Sequence, residues 1–224
     1  MNTRSTERST RAFTLIELLV VIAIIALLAA LIFPVTATVN RQKIRSKART
    51  ELTAVESAIE SYKAKLGFYP PGNPNNYALT PLFYELAGAT LQNNTYETLD
   101  KSASIRVADL NSTLGVSSLA NSVVGAGSDE GRQAQRFLVG TRPYPTTTVQ
   151  EGADPTTSPR LLATSVGWKK ESTPILPNNT KASPVFYNPI NPTNNPSSYD
   201  LWIDVIVGDK TNRISNWSKE PLTP

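Results

Sequence analysis

Neither cysteine nor histidine occurs among the 224 residues. Without thiols there is no disulfide framework and no thiolate metal site; without imidazole there is no histidine ligand, no histidine base and no histidine-activated nucleophile. Catalysis would have to run on carboxylates, Ser, Tyr or Lys, and no nucleophile motif accompanies them, so the chain is expected not to be an enzyme. Charge is scarce as well: 18% of residues are charged, with a formal net charge of +4. Arg4, Arg8 and Arg11 against Glu7 put about half of that excess ahead of residue 13. The remainder is nearly balanced and carries no nucleic-acid signal. Proline, by contrast, occurs 17 times, and asparagine is frequent, which points to an extended, loop-rich exterior domain. The length fits one domain plus an anchor, or two small domains.

A long apolar run is present. Phe13 to Phe33 is 21 residues with one charge, Glu17. At about 1.5 Å per residue such a helix spans roughly 30 Å, the hydrocarbon core of a bilayer. The basic residues precede it, so the positive-inside bias places 1–12 in the cytoplasm and everything after Pro34 on the far side. Three readings compete. An ordinary signal peptide would be cut behind Val35-Thr36-Ala37, but the run exceeds the usual ~7–15 residues and holds an acid. A plain signal anchor would let Glu17 snorkel to the nearby surface. A helix N-terminus favours an acid in its first turn, which does not explain why the acid lies in lipid. The third reading rests on order: a basic leader, the small Ala12, then Phe13-Thr14-Leu15-Ile16-Glu17 and an unbroken apolar helix.

That order resembles the type IV pilin and type II secretion pseudopilin family, most closely the major (G-type) pseudopilin. Counting Phe13 as first, Glu17 falls fifth and Pro34 twenty-second, where the family carries those residues; Ala12 stands where the family usually has Gly. The resemblance implies cleavage by a prepilin peptidase between Ala12 and Phe13 and methylation of the new Phe13 amino group. It implies assembly through Phe13, Glu17 and Pro34, with Glu17 paired to the amino group of Phe13 on a neighbouring subunit. The implied partners are copies of itself and related pseudopilins in a helical filament, the peptidase, an inner-membrane assembly platform, and membrane lipid before assembly. The implied location is the bacterial inner membrane, single-pass, N-terminus cytoplasmic and body periplasmic, then a periplasmic filament.

Pro34 sits inside a continuing helical pattern, which it should bend or loosen. Past it, Ile44, Ala48, Leu52, Val55, Ile59, Tyr62 and Leu66 recur at steps of three and four, one apolar stripe that should end at Gly67. From Phe13 to Lys65 the predicted helix is about 80 Å long. Arg41, Lys43, Arg45, Lys47 and Arg49 line its exported half, either as a solvated face or as a contact to acidic lipid or a neighbour. Tyr62 and Tyr69-Pro70 stand where major pseudopilins carry a Tyr near the stalk end and a Tyr-Pro turn, which implies packing rather than chemistry.

The middle, about 73–157, reads as a loop-rich insertion holding short helices at Leu79–Gly88 and Ser128–Gly140, with Tyr144–Pro159 an exposed loop. The end reads as β: Arg160–Val166, Pro184–Asn188, Tyr199–Gly208 and Asn212–Trp217, with Leu201, Ile203 and Val205 on one buried face. The close, Ile214-Ser215-Asn216-Trp217, also resembles the major pseudopilin ending, where the family commonly binds calcium. Asp200, Asp204 and Asp209 are the calcium candidates here, although Arg213 ahead of Ile214 would repel a cation; alternatively Lys210 and Arg213 replace the metal by hydrogen bonds to the same loop. No other cofactor is expected.

The expected fold is α+β: a long N-terminal stalk helix, half membrane and half amphipathic, packed on a small C-terminal antiparallel sheet, pilin-like. Its divisions are a leader at 1–12, a membrane assembly helix at 13–34, an amphipathic stalk at 35–67 and a periplasmic body at 68–224. The function implied is that of a structural subunit of a type II secretion pseudopilus. The alternatives are a type IV pilin of a surface pilus for adhesion, motility or DNA uptake, and a membrane-anchored binding module with a carbohydrate tip of Trp168, Tyr187 and Trp202.

Overall fold

The computed structural model describes residues 13–125, 133–138, 145–149, 153–154, 158–167 and 183–224, and within these the side chains of 31–37 stand outside the description. The leader, Trp168 and most of the loop around 150–157 therefore lie outside the described residues. The chain divides into two compact units, Met1–Gln42 and Lys43–Pro224.

The helix α1 runs over Leu15–Leu66. It is assigned without interruption through position 34, whose side chain is outside the description. In the second unit the predicted stripe is the buried one. Ala48, Leu52, Val55, Ile59 and Tyr62 are buried, and Ile44 and Leu66 pack against them half-buried. Residues three and four apart fall on one face, and each large apolar side chain fully withdrawn from water contributes about 1.5–3 kcal/mol. The helix stops at Gly67, whose φ of +86° suits a residue without a side chain and whose N–H donates to the Lys63 carbonyl at 2.8 Å.

Polar residues beside the stripe clamp the body to the helix. The Arg49 guanidinium donates to the main-chain carbonyls of Ser215 at 2.6 Å, Ser218 at 2.8 Å and Lys219 at 3.0 Å. Arg45 Nε donates to Asn212 Oδ1 at 3.1 Å. The Glu51 carboxylate accepts from Thr164 Oγ1 at 2.8 Å, from Ser165 N at 3.0 Å and from Ser165 Oγ. Arg45 and Arg49 are thus neither a solvated face nor a lipid contact: they bind the body of their own chain. Arg41, Lys43 and Lys47 remain exposed.

Two four-stranded sheets complete the second unit. The C-terminal one is antiparallel, in the order β10 (Ser218–Leu222), β9 (Lys210–Ser215), β8 (Asp200–Val207), β7 (Val185–Asn188). Leu201, Ile203, Val205 and Val207 of β8 are buried while Trp202, Asp204 and Ile206 are half-buried, the alternation a half-buried strand requires. On the outer face Trp202 is sandwiched across strands. The Phe186 ring stacks on it at 5.0 Å, and the Arg213 guanidinium lies 5.4 Å from its centroid. At the sheet edge β10 pairs with β9 at Ser218 and Leu222, with a register shift between them, and buries no side chain completely.

The segment 73–157, expected as a loop-rich insertion, carries the second sheet: β1 (Ala89–Gln92), β2 (Thr95–Thr98), β3 (Ser104–Arg106) and β4 (Ser122–Val124), in the order β3-β2-β1-β4, with β4 parallel to β1. The turn from β1 to β2 is Asn93-Asn94, both at positive φ (46° and 61°), as a tight hairpin demands. Helices α2 (Leu82–Ala87) and α3 (Val107–Leu114) flank the strands. The expected helix at Ser128–Gly140 is corrected where it is described. Residues 133–138 form no helix, because the N–H groups of Phe137 and Leu138 both donate to the Leu86 carbonyl and Gln135 N donates to Asn121 Oδ1. This segment passes so close to Gly88 that a Cβ there would sit 2.7 Å from the Gln135 carbonyl oxygen. A short pair, β5 (Thr146–Thr148) and β6 (Arg160–Leu162), lies between the sheets in sequence. The architecture is α+β and pilin-like: an N-terminal helix packed on predominantly antiparallel sheets.

Candidate assembly site

The start of α1 is closed by a reciprocal cap. Glu17 N donates to Thr14 Oγ1 at 3.3 Å, while Glu17 Oε2 accepts from Thr14 N at 2.9 Å and from Thr14 Oγ1 at 2.6 Å. A threonine before the first turn and a glutamate three residues on satisfy two of the helix's unpaired N–H groups. The pattern Thr-x-x-Glu was visible as a capping signal in the sequence. Reading Glu17 only as a first-turn acid missed Thr14 as its partner. Glu17 also opens onto an apolar furrow lined by Phe13, Ile16, Val20 and Val21. Around it the helix is apolar and open on every side: Phe13 is 78% exposed and Leu15 81%. Such a surface needs lipid or other helices to cover it. Among the described residues no helix is long and apolar enough to cross a membrane.

Of the predicted assembly residues the structure places Phe13 and Glu17 together at this furrow. Ala12 and the Pro34 side chain lie outside the described residues.

The calcium candidates are not brought together. The buried Asp200 carboxylate accepts from the main-chain N–H groups of Thr193 at 2.9 Å, Asn194 at 3.0 Å and Asn195 at 2.9 Å, and from the side chains of Thr193 and Asn194. Asp204, roughly 13 Å further along the strand, is held by Arg213 in a two-pronged pair at 2.9 and 2.8 Å. That pairing keeps the Arg213 guanidinium charged and above its ordinary value. Asp209 sits exposed in the turn between β8 and β9. A calcium cage needs six or more oxygens converging on one point; here donors converge on Asp200, so the residues do not fit the ion. Among the described residues no group of three or more acids could hold a metal. The side chain that orders the closing loop is Asn216, which had been read only as part of the ending. Its Oδ1 accepts from Leu201 N and Asn195 Nδ2, and its Nδ2 donates to the Tyr199 carbonyl. Chelation of divalent ions should leave the thermal midpoint of the chain unchanged; a fall on adding chelator, reversed by calcium, would overturn this account of the loop.

Of the carbohydrate tip, Trp168 lies outside the described residues, and Tyr187 and Trp202 are both engaged within the body. Tyr187 is fully buried with its hydroxyl donating to the Pro70 carbonyl at 2.9 Å, and both faces of Trp202 are occupied.

Fold and site together define a pilin-like chain whose N-terminal helix begins at an acid-bearing cap. Residues 8–33 match the family described as the prokaryotic N-terminal methylation motif. That motif is the prepilin signal of type IV pilins and pseudopilins, and it implies processing by prepilin peptidase, membrane anchoring and then assembly into filaments. No curated protein and no solved structure matches the chain.

Proposed function

We propose that the chain is a non-catalytic structural subunit of a type II secretion pseudopilus, cut between Ala12 and Phe13 and methylated at Phe13. Phe13 to Phe33 crosses the inner membrane until the helices bundle into a periplasmic filament that drives protein export. The observation that carries this reading is a single acid, Glu17, at the capped start of a helix whose first turns are otherwise apolar and uncovered, inside the matched motif. The cap satisfies Glu17 while the subunit is alone. In the filament the methylated amino group of a neighbour's Phe13 supplies the opposite charge, which exists only after the leader is gone. The closer likeness to the major pseudopilin is supported by the Tyr69-Pro70 turn, whose carbonyl at Pro70 receives the Tyr187 hydroxyl, and by the Asn216 close.

The test is the N-terminus of protein extracted from membranes. Mass spectrometry should find N-methylated Phe13 as the first residue. An intact Met1 would make the helix a plain anchor, and a start at Thr38 an ordinary signal peptide; either sinks the reading. A pseudopilus role further requires that loss of the protein stop the export of folded proteins while surface fibres persist.

A further inference from the structure

Glu85 is the one acid in α2, and it is 0% exposed. Its Oε1 accepts from Ala120 N at 2.7 Å, and its Oε2 accepts from Asn121 N at 2.9 Å and from the Tyr62 hydroxyl at 2.9 Å. Asn121 returns the contact, with Nδ2 donating to the Glu85 carbonyl at 2.7 Å and to the Gln135 carbonyl at 2.6 Å. The Glu85 carboxylate thus ties helix α2 to the end of α1 and to the approach to β4, and the Asn121 side chain carries the tie on to the segment 133–138.

Among the described residues no cation compensates it. The titratable group facing it from α1 is Tyr62. The approach to β4 brings Leu119, Ala120 and Asn121, none of which titrates. From 133–138 comes Arg136, which is committed to Asp100 at 3.3 Å and to the Leu138 carbonyl. On α2 itself Tyr84 is turned to the Ser104 carbonyl and to Arg160 N, and burial pushes its hydroxyl up to about 12. Among the described residues Glu85 has no ion pair, and the groups that meet its charge there are the dipoles of Ala120 N, Asn121 N and the Tyr62 hydroxyl.

We propose that Glu85 and Tyr62 form a proton-binding latch between α1 and the β1–β4 sheet, which takes up a proton in mild acid without breaking a contact and makes the body more stable there. A hydroxyl can turn its hydrogen either way. When Glu85 is ionised, Tyr62 donates to Oε2; when Oε2 is protonated, it donates to the Tyr62 oxygen and the tyrosine hydrogen turns away from the carboxyl by rotation about the C–O bond. Ala120 N and Asn121 N keep their acceptors in both states. Burial pushes the Glu85 carboxyl above the ordinary glutamate range, against the pull of its three donors. The folded chain therefore holds a proton where the unfolded chain has lost it. The resulting stability is full below the ordinary glutamate value and is lost as pH rises through the raised one. Glu56, half-buried and raised by burial and by its neighbour Glu60, adds a share of the same sign.

The experiment is thermal unfolding of the full chain in detergent micelles from about pH 8 down to about pH 5. The midpoint should climb on acidification. Glu85→Gln should flatten most of the climb whatever its own midpoint, and Glu56→Gln should remove only a minor part. Carbon-13 NMR of the glutamate carboxyls in the unaltered chain should give Glu85 a titration midpoint above those of the exposed glutamates. A Glu85 midpoint inside or below their range, or an equal slope in Glu85→Gln and the parent, overturns the latch.

Discussion

Replacing Glu17 by valine should leave membrane insertion and cleavage after Ala12 intact and drop filament incorporation to background. Valine keeps the run apolar, so nothing is lost to insertion; the change removes both halves of what the carboxylate does. One half is local, the cap to Thr14 N and Oγ1. The other is the proposed pairing with a neighbour's amino group. Glu17→Gln separates them, because glutamine closes a capping box almost as well as glutamate but carries no charge. Filaments recovered by shearing and counted by immunoblot should be absent for both variants, with N-methylated Phe13 present in both. Normal assembly of the glutamine variant would assign Glu17 to its own helix alone.

The second large effect is on stability. Glu85→Ala should cost the body about 3–5 kcal/mol, out of the 5–15 kcal/mol typical of a folded protein, because it strands two main-chain N–H groups and a tyrosine hydroxyl in a dry interior. Each stranded donor costs about 1–3 kcal/mol, partly offset by removal of an uncompensated charge. Urea unfolding of the full chain in micelles at neutral pH should read the loss as a lower midpoint with unchanged slope. A variant as stable as the parent would mean that water or a shifted backbone replaces the carboxylate without cost.

The amphipathic part of α1 was legible because seven apolar residues at helical spacing leave one face, and Ala48 to Tyr62 are buried as that spacing requires. Strand β8 was legible for the same reason at period two. The β1–β4 sheet was not, since strands of three or four residues such as Ser104–Arg106 are too short to display an alternation. The expectation of a helix at 128–140 followed from acids ahead of apolar residues; in the described part, 133–138, tertiary bonds to Leu86 and Asn121 override that preference. That Phe13 and Glu17 share one helix face was legible from their spacing of four. The work of Arg49 was not, because its partners lie about 170 residues away in sequence and no local pattern names them.

The edge strand β10 bears on how copies of this chain meet. Its sequence, Ser218-Lys219-Glu220-Pro221-Leu222, puts two opposite charges and a residue without an N–H on the outer border of the C-terminal sheet. Strands from two molecules zip together only where a continuous row of donors and acceptors is offered, and this border interrupts that row while Arg49 holds part of its carbonyl side. Crowded together along this border, such bodies resist fusing into a continuous β-sheet.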